Sequence, residues 1–139
     1  MVIYMKAIET ALSLTQAYKL GIERFEKMLG NEFAKAVESM NNSSTHIIVC
    51  GMGKSGLVGR KISSTLASTG TPSIFLHPAE AIHGDLGKVQ KNSVVLLISY
   101  SGETGEIIAL IPAFKRLDVN IIALTGVKNS TLANISDIV

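Results

Sequence analysis

The chain is poor in cysteine, proline and aromatic residues, and the shortage of cysteine excludes two kinds of site. Its 139 residues include one cysteine, three prolines and no tryptophan. Cys50 cannot form an intramolecular disulfide, and without a Cys-x-x-Cys pair it lacks the spacing of a zinc or redox site. Because Cys50 closes a short apolar run, we expect it to be a small buried hydrophobic side chain.

Charge is also scarce. Charged residues make up 17% of the chain, the net charge is +2, and no basic stripe is interleaved with aromatic residues. This pattern argues against nucleic acid as a partner. Hydrophobic residues make up 47% of the chain, which predicts a globular protein with one core.

Long hydrophobic runs are missing as well. Lys6 and Glu9 interrupt the N-terminal segment, so it does not have the pattern of a secretory signal. The longest stretch without a formal charge, residues 62–79, is rich in serine, threonine, glycine and proline, unlike a membrane span. We therefore expect a cytoplasmic protein without a membrane partner.

The first 45 residues have the spacing of helices. Apolar side chains at steps of three and four predict a helix over residues 4–29, namely Ala7, Ala11, Leu14, Tyr18, Ile22, Phe25 and Leu29. Gly30 suits a helix end, and a second short helix is predicted over residues 32–40. These helices could complete the core or pair with another subunit, and the sequence leaves both possibilities open.

From residue 46 onward, apolar β-branched runs alternate with helical patterns. Strands are predicted at 46–50, 73–76, 94–99 and 120–124, and helices at 55–68, 78–82, 104–117 and 130–135. This alternation predicts an α/β fold, a doubly wound parallel sheet with helices on both faces. Residues 137–139 have the pattern of the start of a fifth strand. We thus expect N-terminal helices over 1–45 and a core over 46–139 that ends before the fold is complete.

The stretch GMGKSG, residues 51–56, is a glycine-rich turn between a strand and a helix. It matches the dinucleotide fingerprint G-x-G-x-x-G, but no acidic residue stands about 20 positions later to hold a ribose. His77 is near that place, and Glu80 lies further along. The triphosphate-binding P-loop also fails, because its first glycine would have to be residue 48, which is Ile48.

A phosphate monoester is the third interpretation of this turn. Gly51 and Gly53 allow a tight backbone, Lys54 supplies a positive charge, and Ser55 supplies a hydroxyl. The plain alternative is a strand–helix turn in which Ser55 is the N-cap and Lys54 lies in water.

A second polar turn, SYSGETGE, follows the third predicted strand at residues 99–106. Ser99, Ser101 and Thr104 place three hydroxyls around Gly102 where a helix begins, and helix N-termini attract anions. In a doubly wound sheet, the loops after the first and third strands can flank one crevice. The two turns together therefore predict one phosphate-binding site.

Three segments carry a resemblance to a known family. GMGKSG, HPAEAIHGDLG (77–87) and SYSGETGEI resemble the sugar isomerase domain family, and within it the arabinose 5-phosphate isomerase branch. The resemblance implies a five-stranded parallel sandwich that assembles as a tetramer and uses no redox cofactor. It also implies a pair of regulatory domains after the sugar domain, which this chain does not contain.

The resemblance also implies roles for individual residues. Lys54, Glu106 and His83 would take part in catalysis. The residues implied to bind the substrate phosphate are Gly53, Ser55, Ser99, Ser101, Gly102 and Thr104. Tyr100 occupies a position where the family usually has Asn or Gln, so it bears on sugar preference if its side chain faces the sugar.

The implied reaction interconverts ribulose 5-phosphate and arabinose 5-phosphate through an enediol, which requires a base and hydrogen-bond donors. Glu106 would be the base, although a carboxylate there could simply stabilise a helix N-terminus. Glu103 has the same plain interpretation and is expected to be structural. His83 and Asp85 make only a weak case for a metal, so none is predicted.

Two alternatives to the isomerase remain. One is a sugar-phosphate sensor without catalysis, although the chain shows no helix-turn-helix segment. The other is a nicotinamide-dependent enzyme, which the missing acidic residue disfavours. The resemblance further implies that a second glutamate and a histidine of the catalytic set lie beyond residue 139.

Overall fold

The computed structural model describes residues 2–139, with side chains from residue 4 onward. The chain forms two compact units, residues 1–34 and 35–139. In the first unit, helix α1 (Val2–Met28) is followed by the start of helix α2 (Asn31–Asn41), which confirms both predicted helices. The apolar face of α1 is exposed, with Tyr18 74% and Ile22 67% accessible.

The second unit is built on a four-stranded sheet. Its strands are β1 (Ile47–Gly51), β2 (Ser73–Leu76), β3 (Val94–Ile98) and β4 (Asn120–Leu124), in the order β2-β1-β3-β4. All three pairings are parallel, as predicted. At the place expected for a fifth strand, Ile138 forms a parallel bridge with Ile122.

The helices between the strands are short apart from the first. They are α3 (Gly53–Ser68), α4 (Pro78–Ile82), α5 (Gly105–Ile108) and α6 (Ile111–Arg116), and a further short helix, α7 (Thr131–Ile135), follows β4. A 3₁₀ helix at Asp85–Lys88, which the sequence did not predict, follows α4.

The prediction of a single helix over 104–117 is wrong. Residues 105–108 and 111–116 form separate helices, and Pro112 lies in the first turn of the second one. Proline has no N–H to donate to the preceding turn, and it is tolerated at a helix start rather than inside a helix. Among residues 2–139, no helix is both long and apolar enough to cross a membrane.

Both faces of the sheet are buried, which parallel strands require. On one face Ile48 and Cys50 pack in a cluster with Phe114 of α6. On the other face Ile47 and Val49 pack in a second cluster with residues of α2 and α3. Side chains alternate between faces along a strand, so β1 contributes to both clusters and anchors the core.

Cys50 is fully buried in this core, as predicted. Burial raises the pKa of its thiol to about 12, because a thiolate loses its hydration in an apolar environment. Since the thiolate is the reactive form, the folded chain holds Cys50 as an inert packing residue.

The strand order creates a crevice at one edge of the sheet. Residues of α3, which follows β1, join one core cluster, while Phe114, in the segment after β3, joins the other. The chain therefore leaves the neighbouring strands β1 and β3 toward opposite faces. In open α/β sheets, ligands bind beyond the carboxyl ends of the strands at such a switch point.

Candidate functional site

The first turn is shaped by its backbone. Gly53 begins α3 with a φ of 55°, a left-handed conformation that glycine adopts without a steric penalty. The N-cap residue is Met52, which makes no side-chain capping hydrogen bond. The interpretation of Ser55 as the N-cap is therefore wrong, because Ser55 is the third residue of the helix. Ser55 is partly exposed and Lys54 is exposed.

The second turn is held by its own side chains. The Ser99 and Thr104 hydroxyl oxygens are 2.8 Å apart, within hydrogen-bonding distance. The Gly102 N–H donates to Ser99 Oγ at 3.1 Å, and the Glu103 N–H donates to Ser101 Oγ at 3.2 Å. Ser99 is buried, whereas Ser101 is exposed and Thr104 partly so. The turn therefore has its shape before any ligand arrives.

Gly102 makes this turn possible. Its φ is 67°, and a Cβ built on it would lie 2.0 Å from Ser130 Oγ. Any side chain at this position would therefore strain the backbone and collide with the residue that caps α7. The turn and the start of α7 pack directly against each other.

A third loop, which was not predicted from the sequence, contributes to the site. The Gly126 N–H and the Thr125 hydroxyl both donate to the carbonyl oxygen of Tyr100, at 3.0 and 3.3 Å. The signal was present, because Thr125-Gly126 follows the end of β4 as the other polar turns follow β1 and β3. The loop after β4 lies beside the loop after β3 because β4 is the neighbour of β3 in the sheet, and local sequence does not reveal that order.

The three loops surround an open cavity of about 400 Å³ at the carboxyl ends of the strands. It is lined by Lys54, Ser55, Val58, Ile98, Tyr100, Leu124, Thr125 and Gly126. A cavity of about 500 Å³ also opens beside the first residues of β3 and β4. That is the amino end of the sheet, whereas ligands of open α/β sheets bind at the carboxyl ends, so we assign the site to the smaller cavity.

Tyr100 forms a wall of this cavity with its side chain. The residue is 81% exposed, and its ring covers Gly126 so closely that a Cβ there would lie 2.6 Å from a ring carbon. The backbone carbonyl of Tyr100 is occupied by the third loop, while its ring faces the cavity beside Lys54 and Ser55. The side chain at this position therefore belongs to the site.

His83 and Glu106 do not line the cavity, and neither do Ser99, Ser101 and Thr104, so that Tyr100 is the residue of the second turn in its lining. His83 directly follows α4, Glu106 lies in the first turn of α5, and both are exposed. Helices α4 and α5 contact each other, so His83 and Glu106 belong to neighbouring elements. Asp85 forms a salt bridge with Lys88. Within the described part of the chain, no cluster of three or more metal-ligating side chains occurs.

Glu103 has a partner that sequence spacing could not reveal. Its Oε1 accepts a hydrogen bond of 2.6 Å from the Thr131 N–H, at the start of α7. This hydrogen bond, and after it one with the Thr131 side chain, lowers the pKa of the Glu103 carboxyl, because both stabilise the charged form. Glu103 therefore stabilises a helix N-terminus, as its plain interpretation predicts, and the helix is α7.

Comparison with known proteins identifies the family. The model of the SIS domain matches residues 39–139. The chain belongs to the SIS domain family. Its sequence is 51% identical over 110 residues to the arabinose 5-phosphate isomerase KdsD of Pseudomonas aeruginosa, covering 79% of this chain and 34% of the relative. It is 50% identical over 119 residues to KpsF, an arabinose 5-phosphate isomerase of Escherichia coli O6:H1, covering 85% of this chain and 36% of the relative.

A solved structure of an Escherichia coli CFT073 protein in complex with arabinose 5-phosphate has a similar fold. It is 39% identical, the match covers 91% of this chain and 70% of that chain, and the TM-score is 0.79. The α/β fold expected for an SIS domain is thereby confirmed. The present chain spans about a third of the length of the curated relatives it matches.

Proposed function

We propose that this SIS domain is a sugar-phosphate isomerase that interconverts D-ribulose 5-phosphate and D-arabinose 5-phosphate. The observation that carries the proposal is the cavity where Lys54 and Ser55, after β1, meet Tyr100 of the hydroxyl-rich turn after β3. A cation, hydroxyls and backbone N–H groups at one edge of the sheet suit a phosphorylated sugar. The identity to arabinose 5-phosphate isomerases supports this substrate class.

The phosphate would be held between the first two turns. Ser55, Ser101 and Thr104 offer side chains that are exposed or partly exposed. Ser99 is buried and hydrogen-bonded to Thr104, so one of these two hydroxyls donates within the pair and the other would donate its proton to the phosphate. The backbones at Gly53 and Gly102, both left-handed, would let the chain approach the phosphate oxygens closely. The site would thus combine hydroxyl donors with the charge of Lys54.

The reaction needs one proton to move between two carbons. A base removes a proton from C1 of ribulose 5-phosphate while the C2 carbonyl oxygen gains negative charge, giving an enediolate, and protonation of O2 gives the enediol. Protonation of C2 and loss of the O1 proton then give the aldehyde of arabinose 5-phosphate. We assign the base to Glu106, stabilisation of the negative oxygen to Lys54, and proton transfer or a sugar-hydroxyl contact to His83. No redox cofactor or metal has a place in this scheme.

Tyr100 would contribute to sugar selection. Its ring forms part of the cavity wall, next to Lys54, so a sugar carbon chain bound there would contact the ring face or its hydroxyl. We expect Tyr100→Asn to change the relative rates with different sugar phosphates, while the hydrogen bonds of the Tyr100 carbonyl remain.

We further propose that the protein works as a homo-oligomer, with the tetramer as the expected state. The exposed apolar face of α1 supports this, because an uncovered row of apolar side chains is typical of an interface. We place the protein in the cytoplasm and the reaction in the supply of arabinose 5-phosphate for the eight-carbon acid sugar of bacterial lipopolysaccharide.

The test is proton exchange in heavy water. The chain is incubated with ribulose 5-phosphate in D₂O, and NMR follows the C1 proton signal and any arabinose 5-phosphate. We expect loss of the C1 signal at a rate proportional to protein concentration, and Glu106→Gln is expected to abolish it. Phosphate binding should survive in Glu106→Gln, because that residue does not hold the phosphate.

The same experiment distinguishes a sensor from an enzyme. If the phosphorus resonance of ribulose 5-phosphate shifts on binding but neither exchange nor product appears, the isomerase proposal fails for this chain. The chain would then be a sugar-phosphate-binding domain, and its function would be recognition of the ligand.

A further inference from the structure

Glu103 lies inside the phosphate turn, yet its carboxylate is directed at an element 28 residues further along. It accepts the 2.6 Å hydrogen bond from the Thr131 N–H, and Thr131 is the first residue of α7. An acidic side chain in a turn that is to receive a phosphate is unfavourable by charge alone. Its presence there therefore calls for a structural reason.

The start of α7 shows that reason. The first N–H groups of a helix have no partner within the helix, and here three successive ones are occupied. The Thr131 N–H donates to Glu103, the Leu132 N–H donates to the Gly102 carbonyl at 3.0 Å, and the Ala133 N–H donates to Ser130 Oγ at 3.3 Å. Two of the three acceptors belong to the phosphate turn, so α7 fastens that turn.

Glu103 is also central within the turn. Its own N–H donates to Ser101 Oγ, and Thr104, its neighbour, shares a hydrogen bond with Ser99. The residue therefore lies between two of the hydroxyls assigned to the phosphate. A change in its position would move both of them.

We propose that Glu103 is a positioning residue, which holds the hydroxyls of the phosphate turn in place by fastening the turn to the first N–H of α7. This inference rests on the proposed function, since the site it positions is the phosphate site. Glu103 touches no substrate in this account. It acts through the backbone of the turn and through Ser101.

Charge and positioning predict opposite results for the removal of Glu103. If the side chain were only an exposed negative charge, Glu103→Ala would leave phosphate affinity unchanged or raise it, because repulsion of the dianion would fall. If it positions the turn, Glu103→Ala loosens the hydroxyls and weakens binding. The expected loss is about three- to tenfold, the range that one hydrogen bond contributes.

Two further variants examine the hydrogen bond from each side. Glu103→Gln removes the charge but keeps an acceptor oxygen, and we expect its affinity within about twofold of the wild type. Thr131→Pro removes the N–H donor at the first helical position, where proline is tolerated, together with the Thr131 hydroxyl, the second partner of Glu103. The preceding residue, Ser130, has φ −75° and ψ 161°, which suits a residue before proline.

The experiment titrates the full chain with inorganic phosphate and with arabinose 5-phosphate, by calorimetry and by phosphorus NMR. Glu103→Ala and Thr131→Pro should each weaken binding, and the double variant should bind no more weakly than either single one, because both remove the same contact. Glu80→Ala, which removes an equal charge from an exposed residue of α4, should not weaken phosphate binding. Thermal unfolding of each variant shows that the folded protein is titrated.

Each outcome has a definite meaning. Unchanged or tighter binding by Glu103→Ala overturns the positioning role, and so does additivity of the two single variants. If Glu103→Ala does not fold, the phosphate affinities of Glu103→Gln and Thr131→Pro are compared. The positioning role is then overturned if Glu103→Gln binds phosphate as weakly as Thr131→Pro. A wild type that binds phosphate without turnover contradicts the isomerase proposal alone, whereas a wild type that binds no phosphate contradicts both.

Discussion

The two turns of the site achieve their shapes by different means. The turn after β1 depends on its backbone, with Gly53 left-handed and no side-chain cap on α3. The turn after β3 depends on side chains, through the Ser99–Thr104 pair and the contact of Glu103 with α7. The first turn offers an exposed cation, Lys54, and the second offers hydroxyls.

This difference indicates that the two turns have different roles in binding the phosphate. Hydroxyl donors act over a short range and need fixed directions, so the turn that carries them is tied into the fold. A lysine acts as a point charge on a flexible chain, so the turn that carries it needs only room to bend. Substitutions in the second turn should therefore be more costly than substitutions in the first.

Gly102→Ala should have the largest effect. The left-handed backbone costs about 1–2 kcal/mol for a residue with a Cβ, and the collision with Ser130 adds about 1–3 kcal/mol of overpacking. We expect a loss of roughly 3 kcal/mol in the free energy of unfolding, together with weaker phosphate binding. Urea denaturation followed by circular dichroism measures the former, and phosphate titration measures the latter.

The double variant Gly102→Ala with Ser130→Gly is the control for this prediction. Removing the Ser130 side chain relieves the collision but not the backbone strain at residue 102. The loss of the Ser130 cap costs little, because glycine is nearly as good as serine at an N-cap. We expect the double variant to recover part of the lost stability. A double variant less stable than Gly102→Ala would contradict the close packing of this turn on α7.

Ser99→Ala should have the next largest effect. It removes the hydrogen bond with Thr104 and one of the two acceptors of the Gly102 N–H. The other acceptor, the Ser99 carbonyl oxygen at 3.1 Å, remains. We expect a loss of about 1–2 kcal/mol in stability. Ser101→Ala, in the same turn but exposed, is the matched control and should cost less than about 0.5 kcal/mol. Equal losses in urea denaturation would mean that the turn is not internally braced.

The sequence predicted most strands and the parallel sheet well, and individual long-range contacts poorly. Strands 73–76 and 120–124 occur at the predicted bounds, because continuous apolar β-branched runs are a local signal. The third loop and the partner of Glu103 were missed, since each depends on β4 lying beside β3. The role of Ser55 as N-cap was also wrong, because helix α3 starts two residues earlier than its apolar spacing indicates. The catalytic roles of Lys54, Glu106 and His83 stay predictions.

Gly53→Ala should cost less than either change in the second turn. Nothing lies within 4 Å of a Cβ built at this position, so the φ of 55° is the sole penalty. We expect a loss of about 1 kcal/mol. Gly53→Asn should cost less than Gly53→Ala, because asparagine tolerates the left-handed region. If Gly53→Ala proved as damaging as Gly102→Ala, the contrast between the two turns would not hold.

The smallest expected effect is a pH dependence of the contact between Glu103 and Thr131. The pKa of the Glu103 carboxyl is lowered from the ordinary value of 4.5. Its charged form therefore contributes stability that is fully present above pH 4.5. The contribution is lost as the pH falls below 4.5 through the lowered pKa. The difference in thermal midpoint between the wild type and Glu103→Gln should therefore be constant from about pH 7 to pH 5 and shrink below that. In a Thr131→Pro background the donor is gone and the difference should disappear at every pH. A difference that persists in that background would mean that another part of the chain, and not the first N–H of α7, stabilises the charge.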